Sequence, residues 1–133
     1  SESHIALEVS RDEHYKSPYL KSLKENWPSL ARDYRHYCHN FHPKTGEVWT
    51  WTSPDGQRFF HLIMDESQQD SAVERLQTFK RALKALKRVT EVEKISRVEL
   101  PKGGFRFSVQ ELELAQSLIK EVFMDTSTDI KFV

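Results

Sequence analysis

The sequence predicts an α/β fold, a mixed sheet of about five strands with helices on both faces, and three observations carry that prediction. Short runs rich in β-branched and aromatic residues recur along the chain. Between most of them lie stretches whose apolar residues repeat at helical spacing, several opened by a serine cap. The resulting order, β-α-α-β-β-α-β-α-β, alternates strands with long helices, the pattern of a largely parallel sheet covered above and below and carrying one hairpin.

Residues 4–9 (HIALEV) read as a buried strand and residues 10–16 as a loop. Ser17 and Pro18 start a helix, serine as cap and proline at the first helical position, with Leu20, Leu23 and Trp27 following at helical spacing. Pro28 lacks an N–H and disfavours the helical basin at Trp27, so it breaks or restarts the helix, and a second helix runs from about Ser29 to Cys38, with Leu30, Tyr34 and Tyr37 on one side. Residues 43–46 form a turn. Residues 47–52 (EVWTWT) and 58–64 (RFFHLIM) are two strands joined by Ser53-Pro54-Asp55-Gly56, a hairpin turn in which proline presets φ and glycine accepts a positive one. Ser71 with Glu74 opens a long amphipathic helix to about Arg88. Residues 94–100 (KISRVEL) are a strand and Lys102-Gly103-Gly104 a loop. Ser108 with Glu111 caps the last helix, and residues 129–133 form the final strand.

The chain has 133 residues, 38% hydrophobic and 30% charged, with fifteen aromatics, a composition that folds as one domain spanning residues 1–133. Lysine plus arginine and aspartate plus glutamate number 20 each, so the formal charge is zero. A general nucleic-acid or anionic-membrane binder needs a positive excess, and neither partner is expected. Cys38 is the single cysteine, which excludes an intrachain disulfide and a thiolate-rich metal site and points to a reducing, cytoplasmic setting. No apolar run reaches membrane-spanning length, and no cofactor is called for.

His36, Cys38, His39 and His42 offer donors suited to zinc or copper, but neighbours at that spacing on a helix end point in different directions. They read as a solvated helix terminus. Lys80, Lys84 and Lys87, beside Arg81 and Arg88, form a basic stripe that reads as the solvent side of a helix rather than a phosphate contact. His61 lies inside a strand and reads as a half-exposed pairing residue. The loop Pro101-Lys102-Gly103-Gly104-Phe105 links a strand to a helix, where backbone N–H groups of a glycine turn can hold a phosphate in the crevice at the strand ends. Asp65 and Glu66, at the end of another strand, stand where catalytic groups often sit or serve as a polar exit.

Trp27-Pro28 followed by Tyr34 and Cys38, Lys44-Thr45-Gly46-Glu47-Val48, and Phe60-His61-Leu62-Ile63 form a dispersed pattern along the chain. Val98-Glu99-Leu100-Pro101, Ile119-Lys120-Glu121-Val122-Phe123 and Asp129-Ile130-Lys131 continue it. Together these strings resemble the macro domain, the ADP-ribose-binding fold, and within it the branch of the terminal ADP-ribose protein glycohydrolase and the DNA ADP-ribosyl glycohydrolase antitoxins. The resemblance implies a three-layer α/β/α sandwich with a ligand cleft at the strand ends, and family members that bind ADP-ribose or hydrolyse it from proteins or nucleic acid. It also marks departures. Ser10 stands where the family carries an asparagine, and Glu13, Lys16 and Pro18 stand where it carries glycines. The nucleophilic lysine of the glycohydrolase branch falls at about Asp65, and the acid of its later glycine loop has no counterpart. A strand that opens the family fold is expected to be missing ahead of Ser1.

The reading that follows is a degenerate macro-like module that binds ADP-ribose or a related nucleotide without catalysis, through Ser10, Asp12, Lys102, Gly103, Gly104 and Phe105, with Phe105 or Phe107 against a ring of the ligand. Two alternatives stay open. One is an interaction module that has lost its ligand and engages a protein partner, with Trp49 and Trp51 as contact points unless they pack on the sheet. The other is a hydrolase with rearranged residues, using Asp12, Glu13, Asp65 or Glu66 as general base and His14 as acid.

Overall fold

The computed structural model describes residues 3–11, 17–64 and 71–133. Strand β1 (His4–Ser10) leads to helices α1 (Pro18–Asn26) and α2 (Pro28–Phe41), followed by the hairpin of β2 (Val48–Thr52) and β3 (Arg58–Met64). Helix α3 (Ala72–Glu93), strand β4 (Arg97–Leu100), a 3-10 turn at Lys102–Gly104, helix α4 (Val109–Phe123) and strand β5 (Asp129–Phe132) complete the order. The element sequence is the one expected.

Helix starts sit where the serines place them. The hydroxyls of Ser17, Ser71 and Ser108 accept from the N–H of Leu20, Glu74 and Glu111, each at 3.1 Å. Glu111 reciprocates by accepting from the Ser108 N–H at 2.9 Å, completing a capping box. Trp27, held at φ −133° and ψ 77° ahead of Pro28, both ends α1 and caps α2.

Helix ends differ from expectation. α2 runs three residues past Cys38 to Phe41, and α3 runs past Arg88 to Glu93, so that Lys94 and Ile95 precede the strand that was expected to contain them. His42 and Lys94 take left-handed conformations, φ 45° and 56°, and donate their N–H to Cys38 and Thr90 carbonyls. That is the closing geometry glycine usually supplies.

The sheet order is β2-β3-β1-β4-β5, parallel except for the β2–β3 hairpin. In the hairpin turn Gly56 stands at φ +92° and donates to the Ser53 carbonyl at 2.9 Å. One face of the sheet packs against α1 and α2 through Leu7, Val9, Phe59 and Ile63 with Leu20, Leu23, Leu30 and Tyr34. The other packs against α3 and α4 through Ala6, Phe60, Leu62 and Val98 with Phe79, Leu83, Leu86, Ala115 and Ile119. The three layers are helices, sheet, helices.

Trp49 and Trp51 belong to the first of these layers. Trp51 is buried and its indole N–H donates to Asp33 Oδ2 at 2.8 Å, while Trp49 lies over His61 and Tyr37. Among the described residues no helix is long and apolar enough to cross a membrane.

Candidate functional site

The chain leaves β1 toward β3 on one side of the sheet, then crosses back over β1 through α3 to reach β4 and β5 on the other. The direction of winding therefore reverses between β1 and β4. Loops leaving neighbouring strands on either side of such a reversal diverge, and the crevice between them at the carboxyl ends is where open α/β sheets hold ligands. Here that position lies between the end of β1 at Ser10 and the 3-10 turn after Leu100.

Ser10 closes β1 and is buried, and its carbonyl accepts from the hydroxyl of Tyr34 on α2 at 2.5 Å. That bond ties the strand end to the helix layer beneath it. Arg11 follows at the surface. Asp12, Glu13, His14 and Lys16 lie outside the described residues, as do Asp65 and Glu66.

On the other side, the glycine loop is a closed 3-10 turn rather than an open cradle. The N–H of Lys102 donates to the Val133 carbonyl at 3.0 Å, that of Gly104 to Pro101 at 2.9 Å and that of Phe105 to Lys102 at 3.2 Å. The Arg106 N–H donates to Glu8 Oε1 at 3.3 Å. The Lys102, Gly104 and Phe105 amides of the loop expected to hold a phosphate are thus already bonded within the protein. Gly104 has a packing reason to be glycine: a Cβ there would lie 3.1 Å from the Tyr19 ring of α1. Around Gly103 there is open space, and the Lys102 side chain is exposed.

Phe105 was expected to face the ligand. Its ring is instead buried in the α3–α4 core, edge-on to Phe79 and Phe132 and stacked at 6.0 Å on Phe107. The reason is the turn itself, which returns the chain over the end of the sheet before α4 begins.

Glu8 is a buried carboxylate that sequence reasoning did not single out. It sits in the middle of β1 on the α3–α4 face, its side chain only 11% exposed, and accepts from Arg106 Nε at 3.2 Å. Burial pushes its carboxyl above the usual carboxylate range, with Arg106 and Arg75 pulling the other way. Arg75, in the first turn of α3, pairs with Glu111 at the start of α4. The signal was available: a carboxylate at an inward position of an otherwise apolar strand needs a partner. Glu8 and Arg106 together fasten the loop after β4 down onto β1.

The remaining candidates lie away from the crevice or are sealed. His61 is wholly buried rather than half-exposed, because β3 is an inner strand covered on both faces. Its ring stacks on Tyr34, meets Trp49 edge-on, and has Nδ1 2.9 Å from the Phe59 carbonyl. Burial lowers its pKa to about 4. On α2, Cys38 turns into the core while His36, His39 and His42 are exposed, so the four donors diverge. Among the described residues no group of three or more histidine, cysteine or carboxylate side chains converges on a metal-sized space. In the basic stripe, Lys80 pairs with Glu121 at 2.5 Å and Lys87 with Asp125 at 2.8 Å, joining α3 to the α4 end.

The sequence matches no protein-family model and no curated protein. Solved structures do match. The macrodomain of Thermus aquaticus DarG superposes with a TM-score of 0.79 at 14% identity, over 99% of this chain and 87% of that one. The macrodomain of Mycobacterium tuberculosis DarG gives 0.78 at 14% identity, over 99% and 88%. Thermosipho africanus DarTG in complex with ADP-ribose gives 0.79 at 9% identity, over 98% of this chain and 37% of that one. The fold of this chain is the macrodomain fold.

Proposed function

We propose that this chain binds ADP-ribose or a related nucleotide in the crevice between the loops after β1 and β4, and that it does so without hydrolysing it. The observation that carries the reading is the reversal of winding between those two strands, which sets the crevice in a fold whose Thermosipho africanus neighbour was solved with ADP-ribose. Exposed Lys102 stands at the rim of that crevice as a counter-charge for phosphate, and Gly103 leaves room for close approach. Support for a non-catalytic module comes from the groups that are present. Glu8 is engaged by Arg106, and His61 is held neutral beneath the α2 layer rather than at the strand ends. Asp65 replaces the lysine that the resemblance would require.

A second reading, an interaction module that has lost its ligand, draws on the bonded amides of the 3-10 turn. Calorimetric titration with ADP-ribose, with AMP and ADP as controls, separates the two. The binding reading expects micromolar affinity, weakened by about tenfold in Lys102→Glu and in Gly103→Val. Gly103→Val is the informative glycine variant because nothing lies within 4 Å of the added Cβ, whereas at Gly104 a larger side chain strikes Tyr19. No heat and no thermal stabilisation at millimolar ADP-ribose overturns the binding reading and favours the interaction module. Release of ADP-ribose from an ADP-ribosylated substrate overturns the non-catalytic part alone.

A further inference from the structure

The segment after β4 brings one more group to the strand ends. Phe105 and Phe107 stack on each other at 6.0 Å and both meet Phe79 edge-on, so their rings turn toward the α3–α4 core. Arg106, between them, stays half exposed. Its backbone N–H donates to Glu8 Oε1 at 3.3 Å and its Nε to Oε2 at 3.2 Å, so the two oxygens of one carboxylate hold one arginine. Glu8 lies two residues before Ser10, where β1 ends. Arg106 therefore reaches from the segment after β4 back to the end of β1, the two sides of the crevice.

We propose that Arg106 supplies the anion contact of this site, taking the diphosphate of the ligand through its two Nη groups, and that Glu8 is the positioning residue that aims it. The assignment rests on the crevice reading given under the proposed function. Three observations support it. The Lys102, Gly104 and Phe105 amides of the 3-10 turn are bonded within the protein, which leaves a phosphate to be met by side chains. The guanidinium is a planar fork of five N–H donors. With Nε on Glu8, the Nη groups remain, and among the described residues they meet no acceptor. That is the arrangement that takes two phosphate oxygens at once. Finally, a carboxylate 11% exposed in an apolar strand works against its own burial, which pushes its pKa up. What it adds is a fixed orientation for Arg106, since the other arginine near it, Arg75, is committed to Glu111. Exposed Lys102, at the far end of the same segment, adds a second positive charge, which suits a ligand with two phosphates.

Calorimetric titration with ADP-ribose and with inorganic pyrophosphate tests this on the wild type, Arg106→Gln, Glu8→Gln and the variant carrying both. The double variant leaves no charge buried alone, and helical circular dichroism confirms that each protein is folded. Arg106→Gln and the double variant are expected to bind both ligands at least about tenfold more weakly, with a shallower dependence on salt. Glu8→Gln keeps the arginine and loses less. In nitrogen-15 spectra the Arg106 Nε–H signal is expected to shift on adding pyrophosphate, and in Glu8→Gln to broaden by exchange with water. An unmoved signal, or ADP-ribose bound equally well by wild type and Arg106→Gln, overturns this assignment and leaves the crevice reading standing. Pyrophosphate bound through Arg106 without any binding of ADP-ribose overturns the crevice reading and keeps the arginine as an anion site. A wild type that binds neither at millimolar concentration overturns both, and Arg106 is then only the counter-charge of Glu8.

Discussion

His61 shows how a single position is set by what covers it. Within the string RFFHLIM it alternates with residues of the opposite face, and in a sheet open to water it would be half exposed. Here α2 lies over it, Tyr34 and Trp49 enclose the ring, and burial lowers the pKa to about 4. The unfolded chain protonates this histidine near the ordinary value of about 6.5 while the folded chain does not. Stability from this group is therefore fully present above pH 6.5 and is lost as pH falls toward 4, on the order of 3 kcal/mol over that window. Glu8 acts in the opposite sense: its raised pKa makes the folded state hold a proton longer, so its contribution declines as pH rises past the carboxylate range. Urea unfolding at pH 7.5 and pH 5, compared between the wild type and His61→Phe, isolates the histidine. The wild type is expected to lose stability across that interval and the variant to lose markedly less. Equal losses would show that His61 is not held neutral. Neither His61's burial nor Phe105's inward turn was legible, because alternation identifies two faces without saying that both are covered. Glu8 was legible in principle, as a lone charge in an apolar strand.

Helices were readable at their starts and not at their ends, and the reason is chemical. A serine whose hydroxyl accepts from the amide three residues on is visible in the sequence, and Ser17, Ser71 and Ser108 all do this. The ends of α2 and α3 are closed by His42 and Lys94 in left-handed conformations, and neither residue type announces that role. Apolar periodicity also fades before α3 stops, since Val92 is exposed and the last inward position is Thr90, whose hydroxyl donates to the Lys87 carbonyl at 2.9 Å. The α4 cap carries more than its own helix. Glu111 accepts from the Ser108 amide and also from Arg75 of α3, so one carboxylate joins the first turns of both helices on that face. Ser108→Ala is expected to cost about 1 kcal/mol of unfolding free energy, and Glu111→Ala more, because it also removes the ion pair with partly buried Arg75. Chemical denaturation with an unchanged slope would register both. A larger loss for Ser108→Ala than for Glu111→Ala would show that the Arg75 pair adds nothing to the cap.

At the scale of the whole molecule, the two cores are coupled through strands they share. β1 contributes Leu7 and Val9 to one and Ala6 to the other, and β3 contributes Phe59 and Ile63 to one and Phe60 and Leu62 to the other. All three tryptophans pack on the α1–α2 face, whereas the two longest helices, α3 and α4, lie on the other. Tryptophan fluorescence and far-ultraviolet circular dichroism therefore watch different layers. Because neither layer can separate without stripping the same inner strands, the two signals are expected to report one coincident transition. The proposed ligand site adds a second requirement. The proposed site lies between the end of β1, where Ser10 is bonded to Tyr34 of α2, and the turn that leads into α4, so a nucleotide held there is expected to engage both layers at once. Ligand at about a hundredfold its Kd adds about 2.7 kcal/mol to whatever unfolds with the site. Both probes should then move together to higher denaturant by the same amount. If ADP-ribose shifted the helical signal and left the tryptophan transition behind, the ligand would be bound to the α3–α4 side alone, and the crevice between β1 and β4 would not be its site.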